Sequence, residues 1–62
     1  MNVKEVLKTC DCYVNLYYKD NYVNTLHKDC DSINKIIDKT VLQADVVSIT
    51  VDDNYFIDIY SE

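Results

Sequence analysis

The chain has 62 residues, a formal net charge of −5 and no glycine or proline, so it is long enough for one domain, residues 1–62, with a thin core. Its six basic residues are all lysines, and an acidic surface without arginine disfavours binding to nucleic acid or to anionic membranes. Without glycine no glycine-rich phosphate loop can form, and no apolar run approaches the ~20 residues of a membrane span.

The first predicted element is a short helix at about residues 2–9. Val3, Val6, Leu7 and Cys10 are spaced at i, i+3, i+4 and i+7, which is the spacing of one apolar helix stripe. Asn2 stands immediately before this stripe, and asparagine is a favoured N-cap residue. The helix is therefore expected to begin after Asn2 and to bury one face.

Residues 13–18 and 22–26 are predicted to form a β-hairpin around the turn-type tripeptide at 19–21. If Tyr18 faces Tyr22, the numbers of paired residues sum to forty. Alternation in that register assigns the even-numbered residues to the core face, with Asn24 as the exception. The apolar and aromatic residues of that face are Val14, Leu16, Tyr18, Tyr22 and Leu26.

A second helix is predicted after the hairpin. The Asp-Ser dipeptide at residues 31–32 is a suitable N-cap, and the helix is expected to continue to about Lys39 or Val41. Three isoleucines follow the cap with helical spacing: Ile33, Ile36 and Ile37.

A second hairpin is predicted from residues 46–51 and 55–60, with a turn at residues 52–54. If Val51 faces Tyr55, alternation separates the two faces of the hairpin clearly. One face carries Val47, Ile49, Val51, Tyr55, Ile57 and Ile59, and the other carries Ser48, Thr50, Phe56, Asp58 and Tyr60.

The two halves of the chain repeat the same order of helix, strand, Asp-Asn turn and strand. The Asp-Asn pairs are at residues 20–21 and 53–54, and asparagine tolerates left-handed turn conformations in a chain without glycine. The repeat predicts an α+β fold of order αββαββ. We expect one four-stranded antiparallel sheet with two short helices on one face.

Three cysteines and the single histidine surround the first hairpin. The predicted register places Cys10 opposite Cys30, and Cys12 close to His27. Thiolate and imidazole are the ligands that structural zinc prefers, usually four in a tetrahedron. The pattern therefore predicts a structural zinc site formed by Cys10, Cys12, His27 and Cys30.

Several alternatives to this zinc site remain open. Alternation places His27 on the other face of the strand, so Asp11 or Asp29 could replace it as a ligand. The cysteines could instead be buried thiols, with Cys10 completing the first helix stripe. A disulfide between Cys10 and Cys30 would need an oxidising compartment, whereas no signal-peptide pattern follows the first methionine, which favours a cytoplasmic protein.

Aromatic residues are expected on the sheet face opposite the core, where they are mixed with Asn15 and Asp58. Tyrosine-rich acidic surfaces suit protein recognition, although the same face could pair two copies in a homodimer. Catalysis is not expected, because the chain around the Cys and His residues has no length to form a cleft. The aromatic residues are Tyr13, Tyr17, Phe56 and Tyr60.

In size, charge and composition the chain resembles the small anti-CRISPR proteins that phages use to inhibit RNA-guided nucleases. Cys10, Cys12, His27 and Cys30 are similar to what a zinc-dependent inhibitor of a type II nuclease would need. The resemblance implies a non-catalytic phage protein that acts in the host cytoplasm and binds no nucleic acid or membrane. It would occupy the basic surface of a CRISPR nuclease, and the contacts expected first are Asp52, Asp53, Phe56, Asp58 and Tyr60.

Overall fold

The computed structural model describes residues 1–27 and 33–62, apart from the side chains of Ile33 and Asn34. These residues form three helices and four strands in the order αββααββ. The elements are α1 (Val3–Thr9), β1 (Tyr13–Tyr18), β2 (Asn21–Leu26), α2 (Ile33–Ile36), α3 (Lys39–Leu42), β3 (Val46–Val51) and β4 (Phe56–Ser61).

Helix α1 is as predicted. The Asn2 side chain accepts a hydrogen bond of 2.9 Å from the Glu5 backbone N–H, and the Glu5 carboxylate accepts one from the Asn2 N–H. This capping box satisfies two N–H groups that a helix otherwise leaves unpaired. The predicted stripe is buried through Val3, Val6 and Leu7, so the helix packs on the sheet through this face.

The predicted second helix is divided into α2 and α3. Asp38 interrupts it with a non-helical backbone, and its carboxylate accepts a hydrogen bond of 3.1 Å from the Thr40 N–H. An aspartate that caps a new helix cannot continue the previous one, so the chain changes direction at Ile37, which is buried. The predicted cap at residues 31–32 lies outside the described residues.

The strand order in the four-stranded sheet is β2-β1-β4-β3. The α+β class and the four-stranded sheet are confirmed, and the αββαββ order is confirmed apart from the division of its second helix. The sheet, however, is not antiparallel throughout. The central strands β1 and β4 are parallel, with Val14 opposite Ile57 and Leu16 opposite Ile59. Alternation fixes which face each residue takes, whereas the long connection between the hairpins decides which strands become neighbours.

The first hairpin keeps the predicted register only away from its turn. Leu16 pairs with Asn24 as predicted, but a bulge follows, and Tyr17 pairs with Tyr22. The turn consists of two residues, Lys19 and Asp20, which both have positive φ angles of 49° and 66°. This is the backbone of a type I′ turn, whose twist matches that of the flanking strands.

The second hairpin is longer in its loop than predicted. Val51 pairs with Ile57 instead of Tyr55, because Asp53 organises a wider turn. Its carboxylate accepts hydrogen bonds from the N–H groups of Tyr55 at 2.7 Å and Phe56 at 2.9 Å. A shift of two residues preserves alternation, so the predicted faces of β4 are retained.

The hydrophobic core lies between the helices and one face of the sheet. The largest fully buried side chains are those of Leu16, Ile59, Val3 and Val14, so the central strands supply the middle of the core. The other buried apolar residues are Val6, Leu7, Leu26, Ile37, Val41, Leu42 and Ala44.

Among the helices of the described residues, none has the length and apolar character that a membrane span requires.

Candidate functional site

The sheet face opposite the core carries most of the aromatic side chains. The parallel register of β1 and β4 places Tyr13, Asn15 and Tyr17 beside Phe56, Asp58 and Tyr60, respectively. Thr25 and Tyr22 of β2 continue the rows beside Asn15 and Tyr17. We call these eight residues the tyrosine face.

The rings of the tyrosine face are stacked in two pairs. The ring centroids of Tyr13 and Phe56 are 5.4 Å apart with an interplanar angle of 25°. Those of Tyr17 and Tyr60 are 4.8 Å apart with an angle of 15°, and Tyr22 meets Tyr17 edge-on at 5.8 Å. Such contacts hold each ring in place before any partner binds, which lowers the entropy lost on binding.

A row of hydrogen-bonded polar groups separates the two ring pairs. The Asn15 amide nitrogen donates to the Asp58 carboxylate at 3.0 Å, and the Thr25 hydroxyl donates to the Asn15 amide oxygen at 2.8 Å. The Tyr22 and Thr25 hydroxyl oxygens are 2.7 Å apart. This row fixes the Asp58 carboxylate in the middle of the tyrosine face.

Asp52 lies at the end of β3, close to Asp58. Desolvation is the largest effect that raises the pKa of Asp52. A hydrogen bond to Asp58 raises it further, as do the negative charges of Asp58 and Asp53. A hydrogen bond to Asn15 lowers it. Two neighbouring carboxylates repel each other when both are ionised. This end of the tyrosine face is therefore suited to a cationic group that would relieve the repulsion.

The phenol of Tyr17 is affected by the same carboxylates. Desolvation is the largest cause that raises the pKa of Tyr17, and the negative charges of Asp58 and Asp52 add to it. Tyr17 is therefore protonated at neutral pH, and its hydroxyl is available as a hydrogen-bond donor or acceptor.

Four of the five residues predicted to contact a partner come together here. Phe56, Asp58 and Tyr60 belong to the tyrosine face, and Asp52 contacts Asp58. Asp53 is different, because its carboxylate is hydrogen-bonded within the turn to the backbone of residues 55 and 56. Its main contribution is to the shape of the second hairpin.

The sequence interpretation placed Tyr22 in the core, and this was wrong. The bulge between Leu16 and Tyr17 moves Tyr22 to the opposite face, where it is 58% exposed. Val23 packs against the core in its place. One feature of the sequence is compatible with this bulge: Asn24 is a polar residue at a position that alternation assigns to the core.

The three proposed zinc ligands in the described residues, Cys10, Cys12 and His27, do not form one cluster. The His27 ring lies 5.1 Å from the Tyr13 ring, beside the tyrosine face, whereas Cys10 packs against the core on the other side of the sheet. Within residues 1–27 and 33–62, no group of three His, Cys, Asp or Glu residues could hold a metal ion. Cys30 and Asp29 lie outside the described residues, so the four-ligand site stays a prediction.

Cys10 and Cys12 are free thiols. Desolvation by burial is the largest cause that raises the pKa of Cys10; the charges of Cys12 and Asp11 also raise it, while a hydrogen bond from Thr9 lowers it. The thiolate is the nucleophilic form of cysteine. At neutral pH the environment of Cys10 therefore favours the unreactive thiol.

The described geometry provides an ordered aromatic surface with acidic groups at its centre and at one end. Such a surface can bind a partner that presents cations and apolar groups together. Comparisons with protein-family models, with curated proteins and with solved structures find no match to this chain.

Proposed function

We propose that this chain is a small acidic inhibitor, encoded by a phage, that acts in the cytoplasm of a bacterial host. It binds the basic surface of an enzyme that handles nucleic acid, such as a CRISPR nuclease, and blocks that surface by occupying it. Occlusion requires no catalytic group on the inhibitor.

The tyrosine face is the observation that carries this proposal. Its rings are stacked on one another, and Asp58 is held between them by the Asn15 amide. Aromatic residues bury a large area at low entropy cost, and a fixed carboxylate can pair with a lysine or arginine of the partner. The face therefore provides both apolar contact and a charge for recognition.

The net charge of −5 supports the same kind of partner. A nuclease binds nucleic acid in a channel lined with lysine and arginine. Opposite charges on two proteins raise their association rate and exclude partners of the wrong sign. The carboxylates of Asp52 and Asp58 would then take positions that phosphates of the nucleic acid otherwise occupy.

The test uses a guide-loaded type II nuclease and compares two variants of equal charge. Asp58→Asn keeps an oxygen that can accept from Asn15 but removes the central charge. Asp45→Asn removes one charge from an exposed residue outside the tyrosine face. We expect Asp58→Asn to weaken binding and inhibition about tenfold, and Asp45→Asn about twofold or less.

Salt and pH titrations add independent readouts. Binding through charge should weaken as salt rises from about 0.05 M to about 0.5 M. Because a cation beside Asp52 favours its ionised form, binding should also weaken as the pH falls through the raised pKa of Asp52. Lack of binding at low salt would exclude this role for the nuclease tested, and equal losses in both variants would exclude the tyrosine face as the contact.

A homodimer that pairs through the tyrosine face is the second candidate. The self-stacking aromatic residues favour it, whereas Asp58 at the centre of the face opposes it, because two copies would bring like charges together. Sizing chromatography of the wild type and Tyr60→Ser at several concentrations distinguishes the two. A dimer that the substitution abolishes would support pairing through this face.

The structural zinc site from Cys10, Cys12, His27 and Cys30 is a separate proposal. In the structure the His27 ring lies against the Tyr13 ring. A zinc ion at this site would stabilise the first hairpin against the segment that follows. Native mass spectrometry of the freshly purified protein tests it. About one zinc ion per chain is expected for a structural site, and less than about half an equivalent would contradict the proposal.

A further inference from the structure

Strand β3 lies at an edge of the sheet and has an unusual composition for that position. Its sequence from Val46 to Val51 is VVSITV, which contains no charged residue and five β-branched residues. The exposed fractions of Val47, Ile49 and Val51 are 55%, 45% and 71%. Edge strands commonly carry charges that prevent pairing with another chain, and β3 lacks this protection.

The backbone of β3 also has groups directed away from the sheet. The Asp52 N–H donates to the Phe56 carbonyl across the second hairpin. Because inward and outward groups alternate along an antiparallel strand, Thr50 and Ser48 bond to β4 in the same way. The N–H and C=O groups of Ile49 and Val51 therefore face outward.

The start of this edge is already occupied by the N-terminus of the chain. The Val46 N–H donates to the Met1 carbonyl at 3.0 Å, and the Val3 N–H donates to the Ala44 carbonyl at 3.0 Å. The strand ends at Val51, and the chain then turns at Asp52 and Asp53. The edge that remains open on the described part of the chain is residues 47–51.

We propose that β3 pairs with β3 of a second copy of this chain, antiparallel, around a two-fold axis at Thr50. The two sheets become one sheet of eight strands. Ile49 of each copy lies opposite Val51 of the other, and their outward backbone groups supply the hydrogen bonds. The exposed side chains of Ile49 and Val51 then cover one another.

The distribution of charge favours a second copy and this register. The chain has a net charge of −5, so most docking modes bring acids together, whereas β3 itself is uncharged. With the axis at Thr50, Asp52 lies opposite Ser48 of the other copy. With the axis at Ile49, Asp45 would oppose Asp53, and like charges directly opposite are destabilising.

The length of the open edge points to the same register. Pairing around Thr50 sets residues 48–52 of each copy side by side, and its hydrogen bonds come only from Ile49 and Val51, which lie within the open edge. The other copy therefore enters its hairpin turn before it reaches Val46, where Met1 is already bonded. An axis at Ile49 would instead bring the other copy's turn onto Val46 and Met1.

Site-directed cross-linking tests this geometry. Thr50 opposite Thr50 is a non-hydrogen-bonded pair, in which Cα atoms are about 4.5 Å apart, within the range of a disulfide. Thr50→Cys should therefore form a disulfide-linked dimer under mild oxidation. Ser48→Cys is the matched control, because Ser48 is exposed on the same strand and lies four residues from its counterpart in this register.

Peptide mapping measures the yield of the disulfide that joins the substituted residues of two copies. This yield should be at least about five times higher for Thr50→Cys than for Ser48→Cys, because only the Thr50 pair lies within disulfide reach. Equal cross-linking of the two variants would overturn the proposal. Disulfides with the native cysteines in place of the symmetric one would also overturn it. Circular dichroism of the reduced variants verifies that both are folded.

Sedimentation of the unmodified protein provides a second measurement. An interface of one strand pair is small, so we expect a dissociation constant between about 10 μM and 1 mM. Val51→Lys should weaken association at least about tenfold, because it buries a charge at the new contact. Pairing through β3 would be contradicted if the wild type is monomeric at about 1 mM. It would also be contradicted if the dimer is unaffected by Val51→Lys but abolished by Tyr60→Ser.

Discussion

The two hairpins have strands of equal length but place them differently in the sheet. In the first, the leading strand β1 is central and the second strand β2 is at the edge; in the second, the leading strand β3 is at the edge and β4 is central. Leu16 of β1 and Ile59 of β4 are fully buried. By contrast, Val51 of β3 is 71% exposed, although its residue type is equally suited to a core.

The comparison shows that position in the sheet, more than residue type, decides how much a side chain contributes to stability. Ile49 and Ile59 face each other across β3 and β4. They share one residue type and one face, yet their exposed fractions are 45% and 0%. They therefore form a matched pair for experiments.

The largest effect is expected for Ile59→Ala. Removing these buried carbons should lower the free energy of unfolding by about 2–5 kcal/mol. That is comparable with the whole stability of about 3–9 kcal/mol expected for 62 residues. Ile49→Ala should cost about 1 kcal/mol or less in the monomer, because much of its side chain is already in water. Urea denaturation at low protein concentration measures both.

A milder pair keeps this comparison measurable if Ile59→Ala unfolds the protein. Ile59→Val should cost about 0.5–1.5 kcal/mol, and Ile49→Val less than about 0.5 kcal/mol. Equal costs at the two positions would show that β3 is covered to the same extent as β4 in solution.

Much of the fold could be predicted from the sequence, because helical spacing and strand alternation are local properties. The cap at Asn2 and the buried stripe of α1 follow directly from the residue pattern. The parallel contact of β1 and β4 could not be derived, because alternation is the same for parallel and antiparallel neighbours. The division of the second helix depended on Asp38, which could either cap or continue a helix.

The turns of the two hairpins differ in what holds them, and the second depends on one side chain. Asp53→Ala removes the acceptor for the N–H groups of Tyr55 and Phe56. We expect a loss of about 1–2 kcal/mol in the free energy of unfolding. Asp53→Asn keeps an acceptor oxygen and should lose less than about half of that. Thermal unfolding of the two variants measures the difference, and equal losses would mean that the charge matters more than the hydrogen bonds.

The first hairpin depends on backbone conformation instead. Lys19 and Asp20 both have positive φ angles. Positive φ costs conformational energy for most residues, and an Asn-Gly pair is the sequence that this type of turn prefers. The double substitution Lys19→Asn with Asp20→Gly should raise the free energy of unfolding by about 1 kcal/mol. Asn54→Gly in the other turn is the control and should lower it slightly, because no positive φ is recorded there among the described residues. Stabilisation by both substitutions would contradict this explanation.

The candidate site was predictable in part. The odd-numbered residues of β1 and the even-numbered residues of β4 were assigned to one face by alternation, and the structure places their rings in contact. Tyr22 was missed because a bulge changes alternation without a glycine or proline to mark it. The contact of Asp52 with Asp58 depends on the wider turn, which the sequence does not specify.

The smallest expected effect concerns Asp52, at the junction of the second turn and the tyrosine face. Its folded-state pKa is raised, mainly by desolvation and then by Asp58, so ionisation is less favourable in the folded chain than in the unfolded chain. Stability should therefore fall as the pH rises from below about 3.9, the ordinary value for aspartate, through the raised folded-state pKa. Asp52→Asn should unfold at a slightly higher temperature than the wild type at pH 7, and this advantage should disappear below the unfolded-state pKa. Asp45→Asn removes an exposed charge outside this pair, so an equal gain from that control would attribute the effect to net charge alone.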